Sequence, residues 1–330
     1  MRILDVLVVG AGPAGLATAI AAGQAGLEYL VIEKGQLVNS LVHYPTNMVF
    51  FTTPELLEVG EVPFVSPYEK PTRVEALRYY RRVAGTFALD IVFDEDVTAI
   101  RRASDGRFEV DGRSALGVRQ IRHARTVVAA IGAYDHPNLL GVPGEDLPHV
   151  SHYYTEPHAG FRKRVVVVGG KNSAAEAALG LYRAGARVTL VHRGAALGAS
   201  IKYWVKPDIE NRIAEGSIAA RFHARVQEIR PTAVVVATPD GVEEIPADLV
   251  LLMTGYRPDL DLLARAGVQI DADGLVPRHD PETFETTVPD LYLAGAVVAG
   301  AESGRIFIEN GRFHGQQVVR SICRALKREK

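Results

Sequence analysis

At 330 residues the chain is long enough for two domains, and 47% apolar with 23% charged residues suits packed cores rather than disorder. A net charge of −2 gives no electrostatic footing for nucleic acid or an anionic membrane. The single cysteine, Cys323, excludes an intramolecular disulfide, a C-x-x-C redox pair and a cysteine-rich metal site, and no metal site is read elsewhere.

The chain opens on Asp5-Val-Leu-Val-Val, runs into Gly10-Ala-Gly12-Pro13-Ala14-Gly15, continues as a small-residue run to Gly26 and resumes with Tyr29 to Glu33. This reads as buried parallel strand, tightly packed helix and second strand. Gly10 permits the tight turn, Gly12 lets the backbone approach a diphosphate, and Gly15 lets the helix lie close to its strand. The diphosphate would rest on free N–H groups at the helix start, while Glu33 would accept hydrogen bonds from a ribose diol. Lys34 and Gln36, just beyond, belong to the same expected contact set. Residues 6–27 carry no charge, which would also fit a signal or membrane segment. The glycines and the flanking Asp5 and Glu28 explain the run better, so no targeting segment is read and the cytoplasm is the expected location.

Leu37 to Pro71 is irregular and rich in proline, threonine and aromatic residues, and it is expected to wrap the far end of the cofactor, Asn47 included. His43 is not assigned as acid or base. Thr72 to Ala88 reads as a helix with a capping box from Thr72 and Glu75. Strands are expected at Asp90–Phe93, Val97–Ile100, Arg107–Val110 and Arg119–Ala130, with Ser104-Asp-Gly106 turning a hairpin. Val97 and Gly132, where the chain returns to the sheet, complete the contacts expected here.

Pro137 to Arg162, punctuated by proline and glycine, looks like a linker. Arg164-Val-Val-Val-Val-Gly169-Gly-Lys171-Asn172-Ser173-Ala174 then repeats the opening unit, and the strand Arg187–Val191 ends in His192-Arg193. His192 follows Gly169 by twenty-three residues, as Glu33 follows Gly10. The equivalent place thus changes from a carboxylate to a potential cation followed by Arg193, which suits a ribose 2′-phosphate. Lys171 stands where the second glycine of the motif belongs; it restricts backbone approach, and its ammonium offers a phosphate partner. Ser200 to Pro207 precedes a helix at Asp208–Glu215, and strands near Ala219–Phe222, Val226–Ile229, Ala233–Thr238 and Asp248–Met253 complete the unit before Thr254-Gly255.

After Gly274 the chain should return to the first domain through a buried strand, Leu291 to Gly295, a turn at Gly300–Gly304 and a last helix from Ile306 to Leu326. Cys323 falls in that helix and reads as a partly packed, inert thiol.

Two nucleotide fingerprints, the second inserted into the first domain, resemble the thioredoxin-reductase-like flavoproteins. More specific blocks resemble the YpdA-type bacillithiol disulfide reductases: Tyr44 to Phe51, Gly169 to Ala174, Lys202 to Arg212 and Ile306 to Gly315. The resemblance implies an α/β fold of two Rossmann-like domains, an FAD domain at 1–155 and 280–330 and an NADPH domain at 156–279. It places cofactor contacts at Gly10, Gly12, Pro13, Ala14, Gly15 and Glu33, at Gly169, Asn172, Ser173, Ala174, His192 and Arg193, and at Gly255, Gly295, Ala296, Ile306 and Phe307. It implies hydride transfer from NADPH through FAD to bacillithiol disulfide, in a homodimer or higher homo-oligomer. Three departures stand out: no C-x-x-C pair, Ala14 where many members carry a cysteine, and Ala296 where an aspartate usually meets the ribityl chain. No catalytic side chain is assigned; with no thiol beside the flavin, electrons are expected to pass to the substrate without a mixed protein–substrate disulfide. A flavin monooxygenase and a ferredoxin- or flavodoxin-NADP reductase are the alternatives, the former weakened because Pro148 replaces the glycine four residues before His152.

Overall fold

The computed structural model describes residues 2–328. The chain forms two compact units, one of residues 1–42, 48–136 and 256–330, the other of 43–47 and 137–255.

In the first unit the strands Ile91–Val92, Tyr29–Ile32, Ile3–Val9, Arg119–Ala129, Phe108–Ser114 and Glu95–Arg102 lie side by side in that order, and Leu291–Leu293 adds to Arg119–Ala129 to make a seven-stranded sheet. Ile3–Val9 and Arg119–Ala129 are parallel, with Val6 opposite Thr126 and Val9 opposite Ala129. Val6, Leu7 and Val8 are wholly buried, as parallel strands covered on both faces must be. The hairpin at Ser104–Gly106 joins Glu95–Arg102 to Phe108–Ser114 as the sequence suggests. The helix Arg73–Thr86 starts on the expected capping box: Glu75 N–H donates to Thr72 Oγ1, and Thr72 N–H donates to the Glu75 carboxylate at 2.8 Å.

The second unit repeats the motif with Ala219–Arg221, Arg187–Val191, Arg164–Val168, Leu249–Leu252 and Val150–Ser151 in a five-stranded parallel sheet. Beside it Arg225–Arg230, Ala233–Thr238 and Gly241–Pro246 form an antiparallel sheet. The last of these strands is absent from the sequence reading, although Pro239-Asp240-Gly241 is a turn signal before the alternating Val242 to Ile245.

Three expectations differ from the structure. The stretch at 137–162 is packed structure rather than linker: Val150–Ser151 pairs with Leu249–Leu252, and the Glu145 carboxylate accepts from the N–H groups of Leu140 and Gly141. The units therefore divide at 136/137 and 255/256 rather than near 155 and 280. At the second crossing the short helix Leu260–Arg265 places Leu262 and Leu263 in the first unit's core. Finally, the terminal helix is broken into Ile308–Gly311 and His314–Arg328. The pause re-aims the chain, so that a Cβ on Gly311 would lie 3.3 Å from Gly295 Cα, and one on Gly315 would lie 2.5 Å from Thr18 N. The contact at Gly315 requires bare backbone, and that at Gly311 is tight.

Candidate functional site

The first glycine turn is built by close approach. Gly10 has φ +103°, and a Cβ there would fall 2.5 Å from the Ala130 carbonyl oxygen; one on Gly15 would fall 1.9 Å from that of Gly10. The turn is thus sealed against its own sheet, and the helix Pro13–Gln24 follows with proline in its first turn. Gly12, its N-cap, behaves differently. A Cβ there would meet nothing within 4 Å. Protein packing does not demand a glycine at this position, and its bare backbone leaves the start of the helix open to a group the size of a diphosphate.

Glu33, at the end of Tyr29–Ile32, is 5% exposed. Its carboxylate accepts from Ala11 N–H at 2.7 Å and from Gly35 N–H at 3.0 Å. Burial pushes its pKa up from the ordinary carboxyl value, and the two N–H donors pull the other way. Each oxygen makes one bond and has further acceptor capacity for a diol. Lys34 is exposed and paired with Asp135 at 2.9 Å; Gln36 is exposed, its N–H donating to Asn39. Gly132 has φ +69° beside Ser40. Val97 is buried in the core, so only its backbone is available to a ligand. Asn47 is exposed and lies in the 43–47 segment of the second unit, where Thr46 N–H donates to the Thr155 carbonyl at 2.9 Å.

The far end of the first unit's site is the turn after Leu291–Leu293. Gly295, with φ +80°, is so close to the fingerprint helix that a Cβ would lie 2.7 Å from Ala14 Cβ. Ala296 is half-buried and Phe307 is 59% exposed next to the half-buried Ile306. Ala14, Gly295 and Gly311 therefore converge, which the sequence places 281 and 297 positions apart from the first of them. Cys323 does not join them. It sits nine residues beyond His314 in the same helix, about 13 Å along the axis.

The second turn keeps the backbone plan with different chemistry. Gly169 has φ +150°, and a Cβ there would press on Ala174 at 2.9 Å. Lys171 is the N-cap of Asn172–Arg183, in extended conformation and exposed, so an L-residue fits. Ser173 is exposed and Ala174 buried. The His192 ring lies over the turn: a Cβ on Gly170 would be 2.3 Å from its Cε1, and one on Gly194 2.6 Å from its Nε2. Burial and the neighbouring Arg193 push the His192 pKa below its ordinary value. Both effects disfavour the charged imidazole, which leaves the exposed Arg193 as the firmer cation at this position. Gly255, φ +89°, is beside Asn138, whose N–H donates to the Gly255 carbonyl at 2.9 Å.

Two polar arrangements escaped the sequence reading, although both lie in quoted blocks. Lys202, 5% exposed, donates from Nζ to Glu176 at 2.7 Å and from its backbone N–H to Asn172 Oδ1 at 3.2 Å. Asn172 Nδ2 also donates to Glu176 at 3.0 Å, which fixes the first turn of the second fingerprint helix. The other is His314, whose Nδ1 accepts the Gly295 N–H at 3.2 Å.

Two units, each with a parallel strand–helix–strand core that opens its first helix with a glycine turn, define a two-nucleotide oxidoreductase of the thioredoxin-reductase-like fold. The chain belongs to the pyridine nucleotide-disulphide oxidoreductase family, which it matches over residues 7–295. It is thus a flavoprotein disulfide reductase by family. It is 41% identical over 321 residues to the bacilliredoxin reductase Bdr of Bacillus subtilis, covering 96% of this chain and 97% of that one. The solved bacillithiol disulfide reductase Bdr (YpdA) of Bacillus cereus is 40% identical with a TM-score of 0.96, covering 98% of this chain and all of that chain. The thioredoxin reductase of T. acidophilum, 22% identical with a TM-score of 0.77 over 99% of this chain and all of that one, shares the fold. Among the described residues no helix is long and apolar enough to cross a membrane.

Proposed function

We propose that the turn at Gly10–Gly15 holds FAD, that the turn at Gly169–Ala174 holds NADPH, and that the enzyme reduces bacillithiol disulfide. The observation that carries the assignment is the contrast between strand ends. Glu33 offers free carboxylate lone pairs where a ribose diol would lie, while Arg193 offers an exposed guanidinium where a 2′-phosphate would lie. The open space at Gly12 fits the FAD diphosphate, and the Gly295–Ala296 turn with Ile306 and Phe307 fits the flavin half.

When bound, the flavin supplies the electrons that a disulfide needs. The chain's own residues bind and orient: Glu33 the adenosine ribose, the Gly12 backbone the diphosphate, the Asn172–Glu176–Lys202 network the helix that meets NADPH. Ala14 has no thiol and Cys323 is far along its helix, so the protein forms no mixed disulfide with its substrate. Exposed apolar side chains on the first unit, Val65 and Phe313, support a homodimer or larger homo-oligomer. Dependence on NADPH supports a cytoplasmic location.

Steady-state NADPH oxidation with bacillithiol disulfide, oxidised glutathione, oxygen and a small iron–sulfur protein as acceptors tests the proposal. Turnover fastest with bacillithiol disulfide is expected; preference for oxygen or the iron–sulfur protein would replace it with an oxygenase or an electron-transfer reductase.

A further inference from the structure

Gly295 lies where the strand Leu291–Leu293 gives way to a tight turn, and it is confined on two sides. Ala14 Cβ would stand 2.7 Å from a Gly295 Cβ, and a Gly311 Cβ would stand 3.3 Å from Gly295 Cα. Ala294 N–H is held by the Ala129 carbonyl at 3.0 Å, but the Gly295 N–H points the other way, to His314 Nδ1 at 3.2 Å in a buried bond. A backbone N–H only donates, so Nδ1 accepts, and the ring carries its proton on Nε2. The ring is 7% exposed and is locked by stacking: Phe284 lies 4.3 Å away at 23°, and His279 lies 6.0 Å beyond Phe284 at 18°. His279 is the titratable neighbour, with Nδ1 2.7 Å from the Pro277 carbonyl. Ala296, next in the turn, has no polar side chain, so whatever this turn offers a ligand comes from its backbone.

We infer that His314 is a positioning residue of the flavin site: its Nδ1 holds the Ala294–Ala296 turn in the one shape that receives the cofactor. The inference rests on the reading that this turn faces the flavin. Without the acceptor, the buried Gly295 N–H is unsatisfied and the turn relaxes to reach water. Cofactor affinity then falls by the fraction of molecules still in the competent shape.

His314→Phe keeps a ring to stack on Phe284 and removes the acceptor; His314→Asn keeps an acceptor at the δ position. FAD binding to the stripped protein, followed by flavin fluorescence, should weaken about 10-fold or more in His314→Phe and stay within about 3-fold in His314→Asn. The thermal midpoint of each apoprotein is measured beside it. Unchanged FAD affinity in His314→Phe, even with a lower midpoint, would reduce His314 to packing and overturn the inference. Equal loss in both variants would overturn it too. If His314→Phe does not fold, nitrogen-15 histidine spectra of the parent holoprotein decide, with His314→Asn assigning the signal: an unprotonated Nδ1 at neutral pH is expected, and a protonated one refutes the bond. A parent that binds no FAD at all would instead remove the functional reading beneath the inference.

Discussion

Gly12→Ala separates what the protein needs from what its ligand needs. The new Cβ meets no atom within 4 Å, and Gly12 has φ −72° and ψ 175°, a conformation that alanine adopts without strain. As an N-cap, alanine is poorer than glycine, at a cost of at most about 1 kcal/mol. For a unit of this size that lowers the melting midpoint by about 2–4 °C. The methyl nevertheless occupies the space through which a diphosphate reaches the helix N–H groups. Losing two charge-assisted hydrogen bonds of about 1.5–3 kcal/mol each weakens FAD binding roughly 100- to 10⁴-fold. Gly15→Ala is the structural counterpart, because its Cβ would stand 1.9 Å from the Gly10 carbonyl oxygen, and it should fail to fold the first unit. Calorimetry of the apoprotein and fluorescence titration with FAD measure the two effects independently. Gly12→Ala protein that binds FAD as tightly as the parent would refute the placement of the diphosphate, and a collapse in its apoprotein stability would refute the steric argument.

Arg193→Ala should raise the KM for NADPH about 10- to 150-fold and leave that for NADH nearly unchanged; a parent that uses both nucleotides equally ends this reading. Cys323→Ser should retain disulfide turnover along with flavin reduction, and a loss of turnover by orders of magnitude with flavin reduction intact would give the thiol the role denied to it here. Burial, with His279 beside it, pushes the His314 pKa down to about 4 from an ordinary 6.5, so between these values the unfolded chain binds a proton that the native chain does not. The stability tied to this neutral ring is fully present above pH 6.5, is lost as pH falls toward 4, and amounts to about 3 kcal/mol. The urea midpoint of the parent should therefore fall relative to that of His314→Asn as pH drops over that interval, and parallel curves would refute the assignment.

Local chemistry was enough to read several elements from the sequence. The glycine turns, the carboxylate after the second strand and the Thr72–Glu75 cap each depend on residues close in the chain, where steric limits and hydrogen-bond reach act directly. The same logic found the repeat at Gly169, because strand, turn and helix recur there at equal spacing. It placed the unit boundaries 19 and 24 residues late, since pairing of Val150–Ser151 with Leu249–Leu252 and burial of Leu262 and Leu263 are long-range events without a local signature. Charge at His192 was likewise undecidable locally: burial against the turn and the adjacent Arg193 disfavour the charged ring. Only tertiary packing brings Ala14, Gly295, Gly311 and His314 together, where contact between backbones excludes side chains and one imidazole nitrogen satisfies a buried N–H. Such a cluster has no period and no spacing, because its parts meet through the sheet and the terminal helices rather than along the chain.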